Sequence, residues 1–216
     1  WYVPDRPVYS VISPHVRTLS FSPSQAKKPI LHDINFLARP GQITAILGPS
    51  RERRTTLLEV VAQRRRYGRY SGEVLVSGMP RGGFFVHNTG YVPRHPLFFE
   101  GLTYEESVRF KAQLSLGSSA SKEEVADRVL SILRLLDLQW CKDQVVGALT
   151  FRGTKGGQLR RLSIALEAVG LPAVIFLDEP VSLLESAVAL DTMEHLKALT
   201  RRNHTLVLTL DMPNPE

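Results

Sequence analysis

The chain has one cysteine, Cys141, so it cannot form an intramolecular disulfide, and no Cys/His cluster carries the spacing of zinc ligands. A packed thiol is the plain reading of Cys141. It also lacks a long apolar run: the most apolar stretch, Leu162 to Leu177, contains Glu167 and falls short of the ~20 residues that cross a bilayer. No initiator methionine precedes Trp1 and no charged-then-apolar leader follows it, so the chain reads as an excised piece of a longer protein. Acidic residues are the scarcer charge, 21 Asp+Glu against 27 Lys+Arg, leaving a formal net charge of +6.

The arginines are bunched, at Arg51, Arg53, Arg54 and again at Arg64, Arg65, Arg66 and Arg69. Such clusters usually form a solvated face. A phosphate-bearing ligand or an anionic membrane surface is the functional alternative, and charge does not choose between them. With 216 residues and 43% hydrophobic composition, one core of ordinary size is expected.

Residues 1–15 read as an arm, with Pro4 and Pro7 and no apolar periodicity, and residues 16–216 as one domain. Val16 to Phe21 and Ile30 to Phe36 suit an antiparallel hairpin around the polar loop Ser22 to Pro29. Ile43 to Leu47 then reads as a strand, Gly48-Pro49-Ser50 as a loop and Thr55 to Gln63 as a helix, with Arg64 to Arg69 its solvated exit. Glu73 to Val76 and Gly90 to Val92 suit further strands. Two helices follow with capping boxes, Thr103 with Glu106 and Ser121 with Glu124. Another helix is expected from Gly157 to Val169 and a crossover helix over Ser186 to Leu199. Val174 to Leu177 and Leu206 to Leu210, nearly all apolar, suit parallel strands covered on both faces. The alternation implies an α/β core with a helical insert from about Pro96 to Leu149, or to about 160 with the start of the next helix included.

Three segments carry chemistry. Gly48-Pro49-Ser50-Arg51-Glu52-Arg53-Arg54-Thr55-Thr56 lies where a phosphate loop belongs, but Arg53 and Arg54 stand where the pattern has Gly-Lys. Alone it would be an ordinary basic loop. Val174 to Leu177 ends in Asp178-Glu179-Pro180, a strand that delivers one carboxylate toward magnesium and a second toward an attacking water; two solvated acids are the bland alternative. Thr154-Lys155-Gly156-Gly157-Gln158 opens a basic helix, whose free N–H groups favour phosphate. It is the order and spacing of all three that is specific.

In these residues the chain resembles the ATP-binding cassette family over about Val16 to Pro213. In Leu102 to Phe110 and Arg160 to Ala165 it is most similar to the G subfamily, the White pigment and sterol-type transporters. The resemblance implies a P-loop NTPase cassette: an α/β fold with a mostly parallel core sheet, an N-terminal antiparallel β-subdomain and a helical insert. It implies ATP and Mg²⁺ as cofactors, a second cassette as partner in a homo- or heterodimer, and a membrane domain downstream in the same chain. The cassette would sit on the cytosolic side of a membrane, and nucleic acid is not an expected partner. By position, Phe21 corresponds to the adenine-stacking aromatic, and Gly48, Pro49, Ser50, Arg51, Arg53, Arg54, Thr55 and Thr56 to Walker A. Within that loop Thr55 is the magnesium ligand and Arg54 the phosphate-contacting cation. Arg94 stands at the Q-loop glutamine. Lys155, Gly156, Gly157 and Gln158 belong to the signature, Asp178 (magnesium) and Glu179 (catalytic) to Walker B, and Ser182 to Glu185 to the D-loop. Asp211 stands at the switch histidine.

The departures imply impaired hydrolysis. Arg53 would put a Cβ where the loop curves around phosphate, at about 1 to 2 kcal/mol if its backbone is left-handed. Arg94 offers only donors where a neutral oxygen is expected, and Asp211 puts a carboxylate near the γ-phosphate. Three functions stay open at this point: a cassette that drives or regulates lipid-, sterol- or pigment-type transport with little turnover, a fully active transport ATPase, and a soluble relative acting on nucleic acid or ribosomes.

Overall fold

The computed structural model describes residues 13–24, 29–118, 120–147 and 155–211, with Lys155 described by its backbone alone. Expectations for residues 1–12, for Thr154 and the loop before it, and for Met212-Pro213 lie outside the described residues.

Strands β1 (Pro14–Ser22), β2 (Leu31–Leu37), β4 (Arg69–Val76) and β5 (Met79–Pro80) form an antiparallel sheet in the order β2-β1-β4-β5. The fold therefore begins before the expected residue 16, because His15 pairs with both Leu37 and Leu75. Arg69 likewise belongs to β4, opposite Ser22, rather than to a solvated helix exit. At Thr18 (φ 47°) β1 slips register, and the slip needs Gly72 in β4: a Cβ there would lie 2.5 Å from the Thr18 carbonyl oxygen.

The second sheet is parallel throughout, in the order β3-β8-β7-β6, from β3 (Ile43–Ile46), β6 (Thr89–Val92), β7 (Val174–Leu177) and β8 (Thr205–Thr209). Its middle strands explain their sequences. Val174, Phe176 and Val207 face one hydrophobic cluster, shared with β1 and helix α1 (Arg51–Val61). Ile175, Leu177, Leu206 and Leu208 face the other, shared with α2 (Tyr104–Leu116), α3 (Lys122–Leu135), α4 (Lys155–Ala168) and α5 (Ser186–Thr200). Alternate residues thus feed two cores, which is why Val174–Leu177 and Leu206–Leu208 are apolar without interruption.

Both capping boxes form: the Thr103 hydroxyl accepts from Glu106 N while Thr103 N donates to the Glu106 carboxylate, and Ser121 and Glu124 repeat the exchange. Helix α1 departs from expectation. It starts at Arg51, not Thr55, so only residues 47–50 separate it from β3. Arg-Glu-Arg-Arg are strong helix formers, and Arg53 among them stands where the pattern has a glycine. Arg53 is therefore helical and absent from the left-handed positions of the described chain, and the expected backbone cost does not arise.

Candidate functional site

The carboxyl ends of β7 and β8 and the amino end of α1 meet at one place. The loop at residues 47–50 turns the chain from β3 into α1, and its Gly48 and Ser50 are half-buried while Pro49 is exposed. Ser50 is the helix N-cap, yet its hydroxyl makes no capping bond, so the first turn offers its backbone N–H groups and positive dipole end to an anion.

From the strands come Asp178 and Glu179, 4% and 1% exposed. Asp178 accepts from the Thr55 hydroxyl at 3.1 and 3.0 Å and from the Thr209 hydroxyl at 2.7 Å. Thr209 also accepts from Glu179 N at 2.9 Å, so a single hydroxyl at the end of β8 positions both acidic residues of β7. Glu179 holds a left-handed backbone (φ 45°), a conformation that costs a non-glycine residue about 1 to 3 kcal/mol and that this bond helps to fix.

Three guanidinium groups converge on Glu179. Arg54, 3% exposed, reaches Glu179 Oε1 at 2.8 Å; Arg51 Nε lies 3.3 Å from the same oxygen; Arg94 Nε lies 3.3 Å from Oε2 without hydrogen-bond alignment. Ser182 donates to Oε2 at 2.9 Å. Burial pushes the Glu179 carboxyl up, but the Ser182 hydroxyl, the Arg54 guanidinium and the charges of Arg94 and Arg51 outweigh it and hold the carboxyl below its ordinary value.

Arg54 is also bound to the Gly48 carbonyl and to Asp211 Oδ1, the latter at 2.8 Å, and Arg51 lies 3.9 Å from Asp211 Oδ2. Asp211 therefore does not stand as a lone carboxylate: two arginines of α1 pair with it. Arg54 Nε is buried with no hydrogen-bond partner among the described residues. Arg94 is itself held in place from behind, because Arg160 of α4 donates to the carbonyls of Pro93 and Arg94 at 2.9 and 2.7 Å.

Thr55 and Asp178 suit magnesium. Their hydroxyl and carboxylate oxygens already converge, and this ion takes few protein oxygens, filling its remaining positions with phosphate and water. Arg53 is exposed and Thr56 is buried.

Two groups of expected residues lie elsewhere. Phe21 is 2% exposed in the cluster beneath the antiparallel sheet, with the Arg65 guanidinium 5.5 Å over its ring. Gly68 is so close that a Cβ would lie 2.4 Å from two ring carbons. With its surroundings filled in this way, Phe21 is a core residue here and offers no open face for a base. Gly156 and Gly157 begin α4 against Leu184 and Val188, and Gly157 has no room for a Cβ, which would lie 2.4 Å from Val188 Cγ1. Gly156 is exposed, Gln158 is buried, and Leu183 of the following loop is 85% exposed with φ 66°. Sequence reasoning missed Thr209 and Arg160. The available signals were a hydroxyl following the apolar run Leu206–Leu208 two residues before Asp211, and an Arg-Arg pair in a largely apolar helix sequence.

Residues 31–182 match the family model described as ABC transporter. The chain is 36% identical over 200 residues to ABC transporter G family member 24 of Dictyostelium discoideum, covering 91% of this chain and 17% of that protein. It is 34% identical over 193 residues to the broad substrate specificity ATP-binding cassette transporter ABCG2 of Sus scrofa, covering 89% of this chain and 29% of that protein. With ABC transporter G family member 13 of Arabidopsis thaliana the identity is 36% over 192 residues, 88% of this chain and 28% of the other. The chain thus spans less than a third of the length of these relatives. Among solved structures, cbiO1 from Clostridium perfringens, part of the ABC transporter complex cbiONQ, matches with a TM-score of 0.78 at 23% identity. That match covers 93% of this chain and 78% of cbiO1, and establishes the shared fold.

Proposed function

The chain belongs to the ABC transporter family, and from that premise we propose that it is a G-type nucleotide-binding domain that binds ATP with magnesium and hydrolyses it weakly or not at all. The observation that carries this reading is the Arg54 guanidinium, buried between Glu179 and Asp211 at 2.8 Å from each.

In the proposed site the start of α1, Arg54 and Arg51 bind and orient the phosphates, and Thr55 and Asp178 hold the ion. Magnesium, when bound, supplies charge neutralisation across the phosphate oxygens. Glu179 is the carboxylate that would take a proton from an attacking water, and its lowered proton affinity makes it a poor base. Arg94 contributes donors where a water would need an acceptor, and Asp211 opposes charge building up on a terminal phosphate. Each effect acts against turnover.

The wider reading follows from the relatives. The domain would act beside a membrane domain, on the cytosolic side of a membrane, and pair with a second cassette through the face that carries exposed Gly156 and Leu183. No helix among the described residues is long and apolar enough to cross a membrane. Transport of a lipid-, sterol- or pigment-type substrate, driven or regulated by that pairing, is part of the same proposal.

Equilibrium ATP binding and steady-state phosphate release, both with magnesium, test it. Binding with turnover at least about a hundredfold below an ordinary enzyme rate of ~10 s⁻¹ is expected. Turnover at that ordinary rate, abolished by Glu179→Gln, would sink the impaired-hydrolysis reading.

A further inference from the structure

Arg54 gives one nitrogen to two carboxylates at once, Glu179 Oε1 and Asp211 Oδ1, each at 2.8 Å. The two partners differ. Glu179 is fully buried and fixed through its backbone to Thr209 and through its side chain to Ser182. The Asp211 side chain is 61% exposed and lies past the end of β8, so it can leave Arg54 without disturbing the core.

The direction from which these carboxylates approach matters. In a phosphate loop the cation opening the helix reaches the β- and γ-phosphates, and the base carboxylate lies beyond the γ-phosphate, on the water side. Asp211 shares the Arg54 nitrogen that faces Glu179, so it sits where a third phosphate would end. It is an anion already in that seat. A triphosphate must displace it or lie against it, and like charges at that range repel more strongly in a partly buried site than in open water. A diphosphate ends short of it. The contacts left to a diphosphate are the uncapped start of α1 and Arg54 Nε, which is buried and has no hydrogen-bond partner among the described residues.

Resting on the nucleotide-binding reading above, we infer that Asp211 fills the terminal-phosphate seat and that the site takes a nucleoside diphosphate in preference to a triphosphate. Asp211 is then a specificity-determining residue. Its carboxylate replaces the outermost phosphate as the counter-ion of Arg54, and the ligand that fits is one phosphate shorter.

The test is calorimetric titration of the purified protein and of Asp211→Asn with ADP and with a non-hydrolysable ATP analogue, both with magnesium. ADP should bind the wild-type protein about fivefold more tightly or better, a difference well resolved in dissociation constants. In Asp211→Asn the ratio should fall to one or reverse, mainly through a gain for the triphosphate. An analogue that binds the wild-type protein as well as ADP overturns the inference while leaving the nucleotide reading intact. So does a preference for ADP that survives in Asp211→Asn. If neither ligand binds, the nucleotide reading itself fails and the inference falls with it.

Discussion

The carboxylate end of β7 and the arginine-bearing start of α1 face each other, and they are held in different ways. Asp178 and Glu179 are anchored by their own sheet: β6 and β8 flank them, and Thr209 fixes a side chain of one and the backbone of the other. The arginines are not anchored by their own helix to the same degree. Arg51 and Arg53 are exposed, and Arg54 is buried only because Gly48, Glu179 and Asp211 receive it. The sheet side supplies a fixed template, and the helix side is organised by what the template offers.

The strongest way to break this asymmetry is Glu179→Ala. It leaves Arg54 buried with a lost partner, and removing one member of a buried pair costs about 3 to 5 kcal/mol; urea unfolding should show a loss in that range. Thr209→Val comes next. It removes the donor to Asp178 and the acceptor for Glu179 N, leaving buried polar groups unpaired, for a loss of about 1 to 3 kcal/mol. It should also weaken the magnesium dependence of nucleotide binding. Arg51→Ala is the smallest: the side chain is 53% exposed, and a screened pair of this kind contributes under about 1 kcal/mol. An Arg51→Ala loss as large as that of Glu179→Ala would mean that the helix side is a template too.

The features legible in the sequence were those fixed by neighbours in the chain. Both capping boxes depend on residues three apart, and β7 and β8 announce themselves by unbroken apolar runs. The acidic pair was placed correctly at a strand end for the same reason. What escaped depends on groups brought together across the fold. Arg54 and Glu179 are 125 positions apart, so a comparison with a phosphate-loop pattern described Arg54 as an altered cation without revealing its carboxylate partners. Asp211 read as an isolated repulsive charge for the same reason. The start of α1 was misjudged because the loop pattern was given more weight than the helix propensity of Arg-Glu-Arg-Arg. Phe21 was assigned by position to a ligand, whereas the closeness of Gly68 and Arg65, neither of them its neighbour in sequence, makes it core.

Arg160 ties two mechanical parts together. Its guanidinium grips the carbonyls of Pro93 and Arg94, while the other end of the same side chain is rooted in α4. Helix α4 is in turn wedged against α5 at Gly157 with no clearance for even a methyl group. A shift of α4 would therefore drag the segment after β6 with it and change the distance from Arg94 to Glu179. The posture of a helix would in this way be transcribed into the proton affinity of one carboxylate at the carboxyl end of the sheet.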